Sequence, residues 1–283
     1  MLGVRGEVSL IIVIDFIIAK VAKSIKLRRV LNSQNKGMFM LKSLVFVLMF
    51  VSGSLFAGTV ADGDHEFVRM NYTSAEDIYQ SILAQSPQNA DVLWRLSRVY
   101  VCMGDVAESS QQCEIYYRKA VEYARQSIAA NDSKSEGHSW LAASLGSIAM
   151  YEGSRRKVEL CREIKSELDL AVQLNPKDEV AYTIMGSFYR ALGGINWVER
   201  QLADLLLGGL PHGGYAEGET AFKKAIQISP NVLRHHFELG MLYYESGRKE
   251  EAKKELQFAS TLPIQMASDA RRKARMNKVL AEL

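Results

Sequence analysis

From residue 72 onward, apolar and small side chains recur at three- and four-residue intervals, the spacing that gathers them on one face of an α-helix. The runs close on a shared phrase of small, bulky and again small or aliphatic residues, followed by a helix-ending turn. It is plainest in Ala75, Tyr79, Ile82 and Pro87, and again in Phe222, Ala225 and Pro230. The closing positions Pro87, Asp132, Pro176 and Pro230 lie 45, 44 and 54 residues apart. After each, the next helix repeats an aliphatic, a small and an aromatic or aliphatic residue at fixed offsets. The sets are Leu96, Ser97 and Tyr100; Leu141, Ala142 and Leu145; Met185, Gly186 and Tyr189; and Leu239, Gly240 and Tyr243.

Two amphipathic helices per unit, with small residues where they cross, are the signature of a tetratricopeptide (TPR) unit, whose plain form takes about 34 residues. The wider spacing predicts enlarged hairpins. One hairpin cannot bury its apolar side alone, so several must stack. The fold predicted is all-α: a right-handed TPR-like solenoid of about five units over residues 62–264, closed by a capping helix over 265–283. On that helix Arg271, Arg272, Lys273, Arg275 and Lys278 read as a polar outer face, with a patch for membrane or acidic partners as the alternative.

The first sixty residues read differently. Lys42, the apolar stretch Leu44–Phe56 and the small residues around Ala57 and Ala61 make a secretory signal over residues 38–61. The expected location is periplasmic or secreted, with a retained inner-membrane anchor, and membrane association through residues 41–57, as the alternative. Residues 1–37 precede a position where such a signal normally starts, and we expect an over-extended reading frame there, with the true start at Met38 or Met40.

Charge changes the picture once this extension is set aside. The whole chain carries 35 basic and 32 acidic residues; removing the seven and two that fall in residues 1–37 leaves 28 and 30. A slightly acidic domain disfavours binding along a phosphate backbone, so no nucleic-acid partner is expected. Three cysteines show no metal-binding spacing; they read as small buried hydrophobes, with a Cys102–Cys113 disulfide as the alternative. Paired glycines at 193–194, 208–209 and 213–214 flank an apolar helix, Trp197 to Leu207, and lack the following Lys-Ser or Lys-Thr of a phosphate loop. They read as loop punctuation, or as hinges of a flap over the groove. Five histidines form neither HExxH nor a hydrolase constellation, and the adjacent His235 and His236 point about 100° apart. No catalytic residue, metal or cofactor is expected.

The repeat register does supply a binding site. Positions 2, 5, 6, 9, 12 and 13 of the first helix in TPR arrays face the concave groove. Arginines and aromatics dominate the side chains at these positions, and Trp94, Arg95, Arg98, Trp140, Arg190, Arg234 and Phe237 are the candidates taken from them. Forked guanidinium donors beside large rigid rings are the combination enriched at interface hot spots. The expected partner is a protein or peptide; a structural use of the tryptophans and arginines is the competing reading.

One stretch is more distinctive than the repeat. Asn196-Trp197-Val198-Glu199-Arg200, then Leu202-Ala203, Leu206, Pro211 and Tyr215 lead into Ala221-Phe222, Ala225 and Pro230-Asn231. Upstream, Trp140-Leu141, Tyr151-Glu152-Gly153, Lys157 and the closure Leu174-Asn175-Pro176-Lys177-Asp178 keep step with it. Together they resemble the regulator of microtubule dynamics family over residues 75–262. The resemblance implies a TPR-like helical domain without enzymatic activity, whose eukaryotic members associate with microtubules, mitochondria or organelle contacts. The export signal departs from that pattern, and tubulin is not the expected partner of an exported chain. A membrane tether and a lipid- or small-molecule-binding helical module are the alternatives to a peptide-holding adaptor.

Overall fold

A computed structural model describes residues 58–283, and the expectations for residues 1–57 lie outside them. The described residues form twelve α-helices and no β-strand. Five hairpins follow in chain order: α1 (Val60–Val68) with α2 (Tyr72–Gln85), α3 (Ala90–Val106) with α4 (Ser110–Ala130), and α5 (Ser135–Ile148) with α6 (Ser154–Leu174). The fourth pairs α7 (Glu179–Gly193) with α9 (Tyr215–Ile228) around an inserted α8 (Trp197–Leu207). The fifth pairs α10 (Leu233–Glu245) with α11 (Lys249–Thr261), and α12 (Asp269–Glu282) follows. The first helices of successive hairpins, α3, α5, α7, α10 and finally α12, pack side by side and line the inner face. This is the TPR-like solenoid that the periodicity predicts.

Helix starts follow local chemistry. Thr59 caps α1 in a reciprocal box with Asp62, so the first helix begins at Val60, inside the span that the sequence assigns to the signal. Asn89 and Asp178 accept from the first-turn amides of α3 and α7. The closing positions Pro87, Asp132, Pro176 and Pro230 all lie in the turns between hairpins.

The small residue at the crossing point is a steric demand. A Cβ on Gly186 would meet the Phe222 ring at 2.5 Å, and one on Gly240 would meet Leu256 at 2.7 Å. Ala75, Ala120, Ala171 and Ala225, at other small positions of the repeat, are fully buried.

Two histidines act as staples that the sequence reading did not assign. His138 and His236 each stand six residues after a closing position. In both, Nε2 meets the carbonyl oxygen of that closing residue, Asp132 or Pro230, at 2.8 Å. Nδ1 meets a carboxylate on the partner helix: Glu167 at 2.6 Å for His138, Glu255 at 2.7 Å for His236. With an acceptor at each nitrogen, the imidazolium is the form that satisfies both.

The chain also closes back on itself. After α11, residues 263–268 cross to the first hairpin, where the Ala267 amide donates to the Tyr72 hydroxyl at 3.0 Å. Arg271 donates to the carbonyls of Asp105 and Val106 at the end of α3. Met266 and Ala267 pack against the cluster built on Phe67, Tyr72 and Trp94. The C-terminal helix buries Met276 and Val279 against α10 and α11. Its basic residues are largely committed: Arg272 to Asp269, Lys273 to the Ser260 carbonyl, and Arg275 to Glu245 at 4.0 Å.

All three cysteines are free thiols, and burial pushes the Cys102 thiol up to about 12. The Cys102–Cys113 disulfide alternative is absent from the structure. The glycines of the insertion serve turns, with positive φ at Gly208, Gly209 and Gly213. The flap reading does not fit: α8 rests on α6, a second helix of its hairpin, and not on the inner face.

Candidate concave trough

The inner face holds two adjoining cavities, of about 200 and 350 Å³, that share Trp140, Glu179, Val180 and Met266 as walls. Of the seven residues selected by the register, four line them. Trp94 and Arg98 sit toward the first hairpin, Arg234 toward α10, and Trp140 between. Arg95, Arg190 and Phe237 do not. Phe237 is buried with Leu233, Met241 and Met276 in the cluster under α12.

Asp64 on α1 organises the first end. Arg95 Nε donates to both of its oxygens at 3.0 and 2.9 Å, Arg98 Nη2 at 2.8 Å, and the Tyr79 hydroxyl at 2.8 Å. Desolvation opposes ionisation of Asp64, but the donors from Arg95 and Tyr79 outweigh it and lower its pKa. The guanidinium carbons of Arg98 and Arg95 lie 3.7 Å from the Phe67 ring centre and 4.2 Å from that of Trp94. Asp64 stands on a helix outside the repeat register, and the Thr59–Asp62 capping pattern is the sequence signal that marks that helix.

A second charged cluster lies at the other end. Glu238, 8% exposed, faces Arg190 across a 2.8 Å ion pair, and Arg190 Nε also meets Glu245 at 3.6 Å. Desolvation works against its charge, yet Arg190, Arg234, Arg272 and Arg275 together lower its pKa. Arg234 makes no hydrogen bond or ion pair among the described residues, and its buried Nε has no acceptor. Trp94 Nε1, Arg98 Nε and His235 Nε2 are likewise buried without partners. Thr183 Oγ1 donates to the Glu179 carbonyl, so neutral His235 donates from Nδ1 to that hydroxyl and its Nε2 is an acceptor. Buried polar atoms normally have partners, and these four hold hydrogen-bonding capacity that the chain itself does not use.

The three interior histidines set a pH profile. Burial, Arg234 and His236 push His235 down to about 3, so it is neutral in the fold. The Glu167 hydrogen bond raises the pKa of His138; burial opposes charge on His236, but Glu255 and the Pro230 carbonyl outweigh it and raise it too. A raised folded pKa gives stability that is full below the unfolded value of about 6.5 and is lost as pH rises through the folded value. The depressed His235 does the reverse, losing its contribution as pH falls below about 6.5. Urea midpoints are therefore expected to peak near pH 6.5. The double variant His138→Gln, His236→Gln flattens the alkaline limb, and an unchanged limb contradicts the assignment.

Among the described residues no helix is long and apolar enough to cross a membrane, and no cluster of three or more metal-ligating side chains occurs.

The family described as regulator of microtubule dynamics protein 1-3 matches residues 60–283. Regulator of microtubule dynamics protein 1 of Bos taurus is 29% identical over 200 residues, covering 69% of this chain and 62% of its own length. Protein 2 of Mus musculus is 25% identical over 197 residues, covering 69% of this chain and 48% of its own length. The chain thus spans about six-tenths of the first of these relatives and half of the second. Among solved structures, a thermophilic TPR protein of Thermus thermophilus superposes with a TM-score of 0.59 at 19% identity, covering 78% of this chain and 97% of that one. The last likeness shows the fold alone.

Proposed function

Because the chain belongs to the regulator of microtubule dynamics protein 1-3 family, whose TPR-like fold is that of a protein-interaction module, we propose that it is a non-enzymatic adaptor holding a protein segment in the concave trough. The observation that carries this reading is the trough itself: aromatic walls from Trp94 and Trp140, with unpartnered donors on Trp94, Arg98 and Arg234 and an unpartnered acceptor on His235. An extended segment supplies backbone carbonyls or carboxylates to those donors and apolar side chains to the rings.

The seven register residues have different parts in this proposal. Arg95 and Arg98 are tied to Asp64 and Arg190 to Glu238, so removing them disturbs the fold as well as the trough. Phe237 packs α10 against α11 and α12. Arg234 is the uncommitted one, and it makes the clean test. With the full chain as bait, Arg234→Ala is expected to lower partner recovery about tenfold, a loss of roughly 1.4 kcal/mol, with the helical fold retained by circular dichroism and the melting temperature lowered only through the lost positive charge beside Glu238. Equal recovery of every partner by Arg234→Ala and the parent chain overturns the trough reading. The apolar cavity walls favour one alternative, a small apolar molecule; a bound species in native mass spectra that excludes protein partners would replace the peptide reading with it.

In the same proposal the chain is exported on the signal at residues 38–61, so the segment belongs to a periplasmic or membrane protein and not to tubulin. Cleavage after Ala57 leaves the Thr59–Asp62 box intact, whereas cleavage after Ala61 removes the cap of α1. The intact mass of the exported form is expected to start at Gly58. A mass retaining residues 41–57 supports the membrane-tether alternative instead.

A further inference from the structure

The inserted helix α8 is amphipathic the wrong way round for a helix lying on a core. Its inward residues are Ala203, which is buried, and Arg200, whose guanidinium donates to the carbonyls of Leu192 and Pro211 at 3.1 and 3.3 Å. Its outward face carries Val198, Leu202, Leu205 and Leu206, exposed by 55, 50, 80 and 65%. These stand at i, i+4, i+7 and i+8, one continuous stripe. Trp197, 74% exposed, flanks it at the first turn. The helix is nevertheless firmly built. Asn196 and Glu199 form a reciprocal capping box, Gly208 ends it at φ 80°, and Arg162 donates to the Gly208 carbonyl at 3.0 Å. A rigid helix presenting aliphatic side chains to water is an interaction surface.

We propose that α8 is a self-association surface through which two copies of the chain pair about a two-fold axis, stripe against stripe. Two observations favour a second copy over a lipid surface. Charge is the first: helices that lie on membranes carry Lys or Arg on the polar face, whereas the only base of α8, Arg200, is turned inward and Glu199 and Asp204 remain. Size is the second. Five side chains at least half exposed, at roughly 100 to 200 Å² each when open, offer on the order of 500 Å² per copy. Two copies then cover about 1,000 Å², the size at which specific interfaces begin. An isologous pairing sets each stripe against itself, so it needs no other complementary patch and stops at two. It leaves both troughs open, because α8 rests on α6 and lines neither cavity.

Sedimentation velocity on the full chain, with and without Leu202→Glu and Leu205→Glu together, tests the pairing. Both side chains are exposed, so the fold is expected to persist, checked by far-ultraviolet circular dichroism and melting. The parent chain is expected to sediment as a dimer and the double variant as a monomer. A monomeric parent chain at every soluble concentration overturns the proposal. So does a dimer that survives the substitutions, which would place the interface elsewhere. Co-sedimentation of a monomeric parent chain with phosphatidylcholine vesicles, abolished in the double variant, would reassign the stripe to a lipid surface.

Discussion

Phe222→Ala is expected to lower the unfolding free energy by about 3 to 5 kcal/mol, the range for emptying a fully buried aromatic site. Phe222 on α9 has no exposed surface and packs with Leu239, Leu242 and Tyr243. Its ring also lies over the backbone of Gly186 on α7, at 2.5 Å from where a Cβ would stand. Gly186→Val alone is therefore expected to cost about 1 to 3 kcal/mol through overpacking. The two are not independent. Combined, the valine occupies part of the space that the ring vacated, and the double variant should be more stable than the sum of the single losses, by about 1 kcal/mol or more. Urea unfolding of the four proteins measures this. Strict additivity would show that the small residue at the crossing point is not there to admit the ring.

Glu238→Ala is the second large effect. The carboxylate is the buried counter-charge to Arg190 and stands near Arg234, Arg272 and Arg275. Removing one partner of a buried pair leaves the other uncompensated, at a cost of about 3 to 5 kcal/mol. Glu238→Gln keeps the shape but not the charge, and is expected to recover only a small part. The pH dependence gives an independent readout. The folded pKa of Glu238 is lowered, so its contribution is present above the unfolded value of about 4.3 and is lost as pH falls through the folded one. The glutamine variant should then lose less stability than the parent chain on acidification. A parallel acid limb in both proteins would mean that Glu238 does not carry its charge in the fold.

The hairpin register was legible because it is local. Small residues at 186 and 240, bulky ones at 222 and 256, and closures at 87, 132, 176 and 230 all follow from 3.6-residue periodicity and turn chemistry. The trough was half legible. Helical spacing placed Trp94, Arg98, Trp140 and Arg234 on one inner face, and the structure brings them to adjoining cavities. It could not say which arginines already have partners. Asp64 reaches Arg95 and Arg98 from 31 and 34 residues away, and Ala267 reaches Tyr72 from 195; no periodicity reports such distances. The histidine staples were legible in principle, since His138 and His236 share a repeat position. Of the adjacent pair only His236 occupies that position; His235 turns to Thr183 instead. For α8 the sequence gives an amphipathic helix without saying which face meets the protein, because Arg200 finds its acceptors in flanking loops.

In the proposed function, partners are held on the inner face of the stacked hairpins. A photo-crosslinking residue at position 180, between the two cavities, and another at position 170, on the exposed side of α6, test it directly in the full chain within its native cells. Crosslinks from 180 to one discrete protein, absent from 170 and lost with Arg234→Ala, are the predicted result. Capture of the same protein from 170 and not from 180 would place the binding surface on the outer face and exclude the trough.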